Sequence, residues 1–261
     1  MNADPGVEQA RQALGPVGVM LPVTFNTAVP IDIQRAAVRS LERAGHRAAW
    51  TNEVLGGKDA LMQVAVLLAA TERMTLGTGI ANIWARQPET MQAAAALLAQ
   101  AYPGRFVLGV GVGYPQQATT AGREFGRPLA TMRDYRQRMD RPTRPPAPAQ
   151  PFARILAANG PKMLELAAEI ADGAIPVMQP PEFTARARKV LGPRKLVVAG
   201  LRVPPEAAEN PAHAVSEVRE HLAAGADHVI LLTQPDGDFA SGVDLLERLT
   251  PALTDLPGFG V

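Results

Sequence analysis

At 261 residues, with 47% hydrophobic and 20% charged residues, the chain is long and apolar enough for one large α/β domain. A balance of 26 basic against 25 acidic residues, a net charge of +1 and no basic run argue against a nucleic-acid surface, and zero cysteines exclude disulfides, thiol nucleophiles and cysteine metal sites. No apolar stretch is long enough to span a bilayer, and residues 1–15, with Asp4, Glu8 and Arg11, do not read as a secretory signal, so a cytoplasmic protein is expected.

Short apolar runs alternate with longer segments of helical period. A first strand is predicted at 17–21, then a helix at 31–44 with Ile33, Ala36, Ala37, Leu41 and Ala44 on one stripe and Gly45 as its stop. Next come a strand at 48–51, a helix at 59–70, a strand at 75–79 and an alanine-rich helix at 88–101 opened by Pro88. A fourth strand at 106–110 precedes a helix at 129–139. Pro142, Pro145, Pro146, Pro148 and Pro151 then make a surface loop of about 140–152, because such density holds neither a helix nor a central strand. The pattern resumes with strand 154–157, helix 161–170, strand 173–177, helix 181–191 and strand 195–201. A loop at 202–211, helix 214–224, strand 228–232 and helix 241–253 complete it.

Eight strands alternating with about eight helices predict a parallel sheet, and eight repeats close a (β/α)8 TIM barrel. A doubly wound open sheet is the alternative. The alternation continues unbroken across the proline-rich loop, so 1–261 reads as a single barrel domain.

In a barrel the loops that follow the strands share one face, and that face carries the chemistry. These loops hold Thr51, Asn52 and Glu53 after strand two, and Gly79 through Arg86 after strand three. They hold Gly113 and Tyr114 after strand four, Ala158, Asn159, Gly160 and Pro161 after strand five, and Met178 and Gln179 after strand six. Gly77 and Gly79 permit backbone geometry closed to other residues. Trp84 reads as a wall for an aromatic cofactor or substrate, or as a tryptophan packed under a loop. Arg86 reads as a solvated loop charge. The Asn159-Gly160-Pro161 run opens a helix directly after a strand, where free N–H groups attract anions and Gly160 admits a phosphate; ordinary capping is the other reading.

Glu53 is the only carboxylate just after a strand end on this face, which makes it a candidate proton carrier unless it is simply solvated. His46, His213, His221 and His228 show no metal-ligand spacing, so no metal is expected. The run GVGVG at 109–113 lacks the final glycine and the acidic residue of a dinucleotide loop.

The segments AAWTNE (48–53), AATER (69–73), TGIANIWAR (78–86), YPGRFVLG (102–109), GPKMLEL (160–166) and AGADHV (224–229) resemble the luciferase-like monooxygenase superfamily. The resemblance runs over nearly the whole chain and is to the branch dependent on the deazaflavin coenzyme F420. It implies a TIM barrel and an oxidoreductase that passes a hydride between F420 and a small organic substrate. By the same likeness Gly79, Ile80, Ala81 and Asn82 form a bulge that backs the deazaflavin ring, with a non-proline cis peptide expected at Gly79–Ile80. Gly113, Tyr114, Ala158, Asn159, Gly160 and Pro161 would bind the cofactor, Asn159 and Gly160 taking its phosphate. Glu53 and Trp84 would be catalytic, Glu53 near the reacting carbon. Family members are commonly dimers, so the resemblance implies a homodimer.

The chain departs from the family pattern at three places. Gly113-Tyr114 stands where relatives often carry a polar or acidic residue or Ser-His, and Asn159 where close relatives are usually apolar. Only 202–213 fills the gap between strand seven and the last helix pair, where relatives insert a longer segment. An FMN-dependent monooxygenase is the enzymatic alternative, since a deazaflavin does hydride chemistry but activates oxygen poorly. A non-catalytic cofactor-binding or degenerate barrel is the alternative of another class, motivated by the short segment and Tyr114. A phosphate-ester lyase or isomerase barrel ranks last, because it needs a lysine or paired acids at the strand ends.

Overall fold

Strands buried on both faces read as short continuous apolar runs, and parallel pairing requires a crossover between each of them. The computed structural model describes residues 4–260. Its strands are β1 (Val17–Met20), β2 (Ala48–Thr51), β3 (Thr75–Thr78), β4 (Ala81–Asn82) and β5 (Phe106–Gly111). They continue with β6 (Ala153–Ala157), β7 (Gly173–Ile175), β8 (Leu196–Arg202) and β9 (His228–Leu232). All pairings between them are parallel, in the order β3-β2-β1-β9-β8-β7-β6-β5-β4, and β3 also pairs with β5 through Leu76 opposite Phe106. The two-residue β4 lies beside β5, Ala81 opposite Val110, so it prolongs the third barrel strand after an interruption. The result is a closed eight-stranded barrel, and the open-sheet alternative falls.

The predicted crossover helices are present as α2 (Ile31–Ala44), α3 (Ala60–Leu68), α4 (Pro88–Ala101) and α6 (Pro128–Met139). After them come α7 (Pro161–Ile170), α8 (Pro181–Leu191), α9 (Ala212–Ala223) and α10 (Phe239–Leu253). Residues 141–152 contain neither helix nor strand. Four short elements were not anticipated: α1 (Pro5–Leu14), α5 (Pro115–Thr120), β4 and a 3-10 turn at Pro205–Ala208. The last three span six residues or fewer, too short for a pattern of apolar residues to register, whereas α1 is as long as α7.

The core has two parts. Outward residues such as Val19, Ala49, Leu76, Leu108 and Val197 pack against the helices. Inward residues, including Trp50, Val107, Ile155, Val198 and Ile230, fill the barrel, and Val7, Ala10 and Leu14 of α1 close its amino-terminal end. Trp50 is the largest side chain inside. A Cβ at Gly77 would overlap its ring, so glycine there is a requirement of packing rather than of the strand. The Trp50 Nε1–H donates to His228 Nε2 at 3.1 Å, and the other ring nitrogen of His228 lies 2.8 Å from Gly15 O. That pair of contacts specifies the neutral tautomer protonated on Nδ1. Burial pushes the His228 pKa down to about 4.

Candidate active site

The carboxyl ends of the strands open onto a mouth with an apolar floor. Ile80, Val23, Val177 and Leu232 are half-buried there, above the interior cluster. The backbone that presents Ile80 is pinned on both sides: Gly79 N donates to Thr51 O at 2.7 Å, and Glu53 N donates to Ile80 O at 3.1 Å. The Gly79–Ile80 peptide is cis. The Met20 side chain reaches the same point, its Cε 2.8 Å from where a Gly79 Cβ would stand.

Glu53 is 6% exposed and turns toward the β3–α4 loop. Its Oε2 accepts from Asn82 N at 2.6 Å, and its Oε1 accepts from Arg86 Nη2 at 3.1 Å and from Ala60 N at 3.4 Å. Burial pushes its carboxyl pKa up, opposed by the Asn82 N–H and by Arg86. Arg86 is not the solvated loop charge expected from its place in the chain. Its side chain is only 17% exposed and also pairs with Asp59 at 2.6 Å. Asp59 in turn caps α3 by accepting from Met62 N. The three charges thus join the end of β2, the start of α3 and the loop before α4. They hold the bulge in place, and the chain gives no local sign of it because the partners lie 27 and 33 residues from Arg86.

Asn82 is buried and engaged at every polar group: its Nδ2 donates to Gln117 Oε1 at 3.0 Å and its Oδ1 accepts from Trp84 N at 3.0 Å. Gln117 also accepts from Tyr114 N at 2.8 Å. Gly113 has φ of +57°, and a Cβ there would overlap Gln117 Oε1, so this corner favours glycine. Trp84 is 7% exposed; its indole N–H donates to Val112 O at 2.7 Å and its ring meets Phe125. It occupies the space beneath the β5–α5 loop. The Tyr114 side chain, by contrast, is 71% exposed on the same face. Gln117 was not singled out in the sequence, and α5, which carries it, was not predicted.

Two strands away, Ala158 is buried, and Asn159 Oδ1 accepts from Val177 N at 2.8 Å. Gly160 precedes α7, which starts at Pro161, has no side-chain cap and has no acid in its first turn. No atom lies within 4 Å of a Cβ built on Gly160. The first N–H groups of α7 have no side-chain cap, and Lys162 is exposed beside them. These residues fit a phosphorylated ring cofactor: an apolar floor for the ring and a row of free donors for the phosphate. Met178, with φ of +53°, stands exposed after β7. Among the described residues, no group of His, Asp or Glu is arranged to hold a metal, and no helix is long and apolar enough to cross a membrane.

Residues 16–248 match the family model of luciferase-like monooxygenases. A Mycobacterium tuberculosis protein assigned as a coenzyme F420-dependent oxidoreductase is 32% identical over 179 residues, covering 56% of this chain and 51% of that one. The chain spans about half the length of the curated relatives it matches. Among solved structures, an F420-dependent secondary alcohol dehydrogenase bound to an F420–acetone adduct superposes with a TM-score of 0.73 at 17% identity, covering 92% of this chain and 99% of that chain. The FMN-bound oxygenating component of 3,6-diketocamphane monooxygenase from Pseudomonas putida gives 0.69 at 11% identity, covering 91% and 97%. At such identities the superpositions establish the shared barrel.

Proposed function

The chain belongs to the luciferase-like monooxygenase family, and from that premise we propose that it is an oxidoreductase moving a hydride between coenzyme F420 and a small organic substrate. The observation that carries this reading is the pairing, on one barrel face, of the apolar floor around Ile80 with the uncapped start of α7 at Gly160. The resemblance to an F420-dependent oxidoreductase supports it further.

A bound deazaflavin supplies or accepts a hydride at its ring carbon. The chain's own part is orientation and exclusion of water. Ile80, Val177 and Leu232 give the ring an apolar support, and the first N–H groups of α7 with Lys162 hold the phosphate. Glu53 and Arg86 act as positioning residues, since their charges are engaged with each other, Asn82 N and Asp59. In this reading Trp84 supports the loop from below, and Tyr114 covers the mouth from solvent.

Titration of the purified protein with F420 and with FMN, followed by cofactor fluorescence, tests the assignment. Binding of F420 with FMN at least tenfold weaker is expected. Binding of FMN alone would move the chain to the FMN-dependent monooxygenases, a reading that the FMN-bound neighbour of the same fold keeps in view. The brevity of 203–211, between β8 and α9, favours a non-catalytic barrel as the reading of another class. F420 binding without turnover on carbonyl, enone and imine substrates would support that one.

A further inference from the structure

Beside the mouth lies a second feature that the cofactor seat does not use. A cavity of about 220 Å³ opens between the β1–α2 loop, the β2–α3 loop and the start of α10. Its apolar walls are Leu21, Pro22, Phe25, Val54 and Phe239, and it contains no Asp or Glu. Its single charge is Lys58. A tight hairpin holds this residue, with Val54 N donating to Lys58 O at 3.1 Å and Lys58 N donating to Val54 O at 2.8 Å.

The charge lining this cavity is unbalanced. Lys58 Nζ carries three N–H bonds and donates one to Asn52 Oδ1 at 2.6 Å; among the described residues it makes no ion pair. Thr51 donates to Gln63 Oε1, Gln63 Nε2 donates to Gln34 Oε1, and Gln34 Nε2 donates to Val29 O at 2.7 Å. Each amide oxygen accepts one of these bonds, and each amide nitrogen retains a second N–H. The lining presents a half-buried ammonium beside two amides, and no carboxylate to answer the charge. Burial with no counter-charge lowers the Lys58 pKa to about 8. Arg86, on the β3–α4 loop, is already matched by Glu53 and Asp59.

We propose that this cavity is the substrate pocket and that Lys58, with Gln34 and Gln63, selects a small organic acid by its carboxylate, the apolar walls taking the hydrocarbon body. The word substrate rests on the function proposed above; the carboxylate seat stands on the cavity itself. A volume near 150 Å³ accepts a benzene ring, so about 220 Å³ takes one ring with its carboxylate. The cavity opens at the carboxyl ends of β1 and β2, on the same barrel face as the proposed ring support.

Ligand-observed NMR titration with benzoate and its neutral counterpart benzamide, on wild type, Lys58→Met and Lys58→Arg, tests the seat, and F420 titration of the same three proteins runs beside it. Wild type should bind benzoate at least tenfold more tightly than benzamide. Lys58→Met should abolish that preference and leave F420 binding unchanged, and Lys58→Arg should retain most of it. The Met variant should melt no lower than wild type, since it removes a desolvated charge. Equal binding of the two probes to wild type, no benzoate binding, or a preference that survives Lys58→Met overturns the proposal. A Lys58-dependent benzoate preference in a protein that binds no F420 supports the carboxylate seat and overturns the cofactor reading instead.

Discussion

The Glu53–Arg86–Asp59 cluster sets one guanidinium between two carboxylates at the base of the β3–α4 loop. Removing the cation leaves a buried Glu53 carboxylate answered only by backbone N–H groups, and breaking such a pair costs about 3–5 kcal/mol. Arg86→Ala is therefore expected to lower stability by that amount in urea unfolding. Glu53→Gln, which keeps the shape and leaves Asp59 to Arg86, should cost about 1–3 kcal/mol. A near-neutral Arg86→Ala would mean that the loop is held by the Asn82 network alone. A carboxylate after a strand end and a cation before a helix are both visible in the chain. Their mutual engagement is not, because each sits on a different loop and nothing within a turn's length of either implies the other.

Among the elements, α7 offers the cleanest separation of fold from function. Gly160 has φ of −137° and ψ of 155°, an extended conformation open to any residue, and a side chain there would meet nothing within 4 Å. Gly160→Val should therefore change stability by no more than about 0.5 kcal/mol. It should also place two methyl groups where the cofactor phosphate belongs and weaken F420 binding at least tenfold. Unchanged F420 affinity in the folded variant would sink the α7 assignment. Asn-Gly-Pro after a strand announces this helix start in the sequence, because proline and the capping position act through neighbouring residues only. The helix α5 had no such legibility: six residues opened by Pro115 carry one buried side chain, Ala118.

For the molecule as a whole, the interior histidines tie stability to pH. His228 stays neutral in the fold, its pKa pushed down to about 4 by burial, while the unfolded chain takes up a proton near pH 6.5. His46, bonded to Thr250, is lowered in the same direction and also to about 4. Their contribution is complete above about pH 6.5 and is lost as pH falls toward 4, at about 1.4 kcal/mol per pH unit for each ring. Urea midpoints measured from pH 7 to 4 should fall accordingly, and His228→Gln should flatten the curve by one proton's worth; an unaltered slope would contradict the neutral His228. The sequence alone determined the eight strand–helix repeats, the glycine-rich junction after strand three and the helix start at Asn159-Gly160-Pro161, because period and turns are properties of adjacent residues. Only the tertiary structure decided that Glu53 and Arg86 face each other, that Trp84 lies beneath a loop, and that Lys58, Gln34 and Gln63 meet around one cavity. Side-chain direction past a strand's end is set by the loop backbone and by whatever barrel closure brings against it, and neither is encoded within the few residues that a local pattern spans.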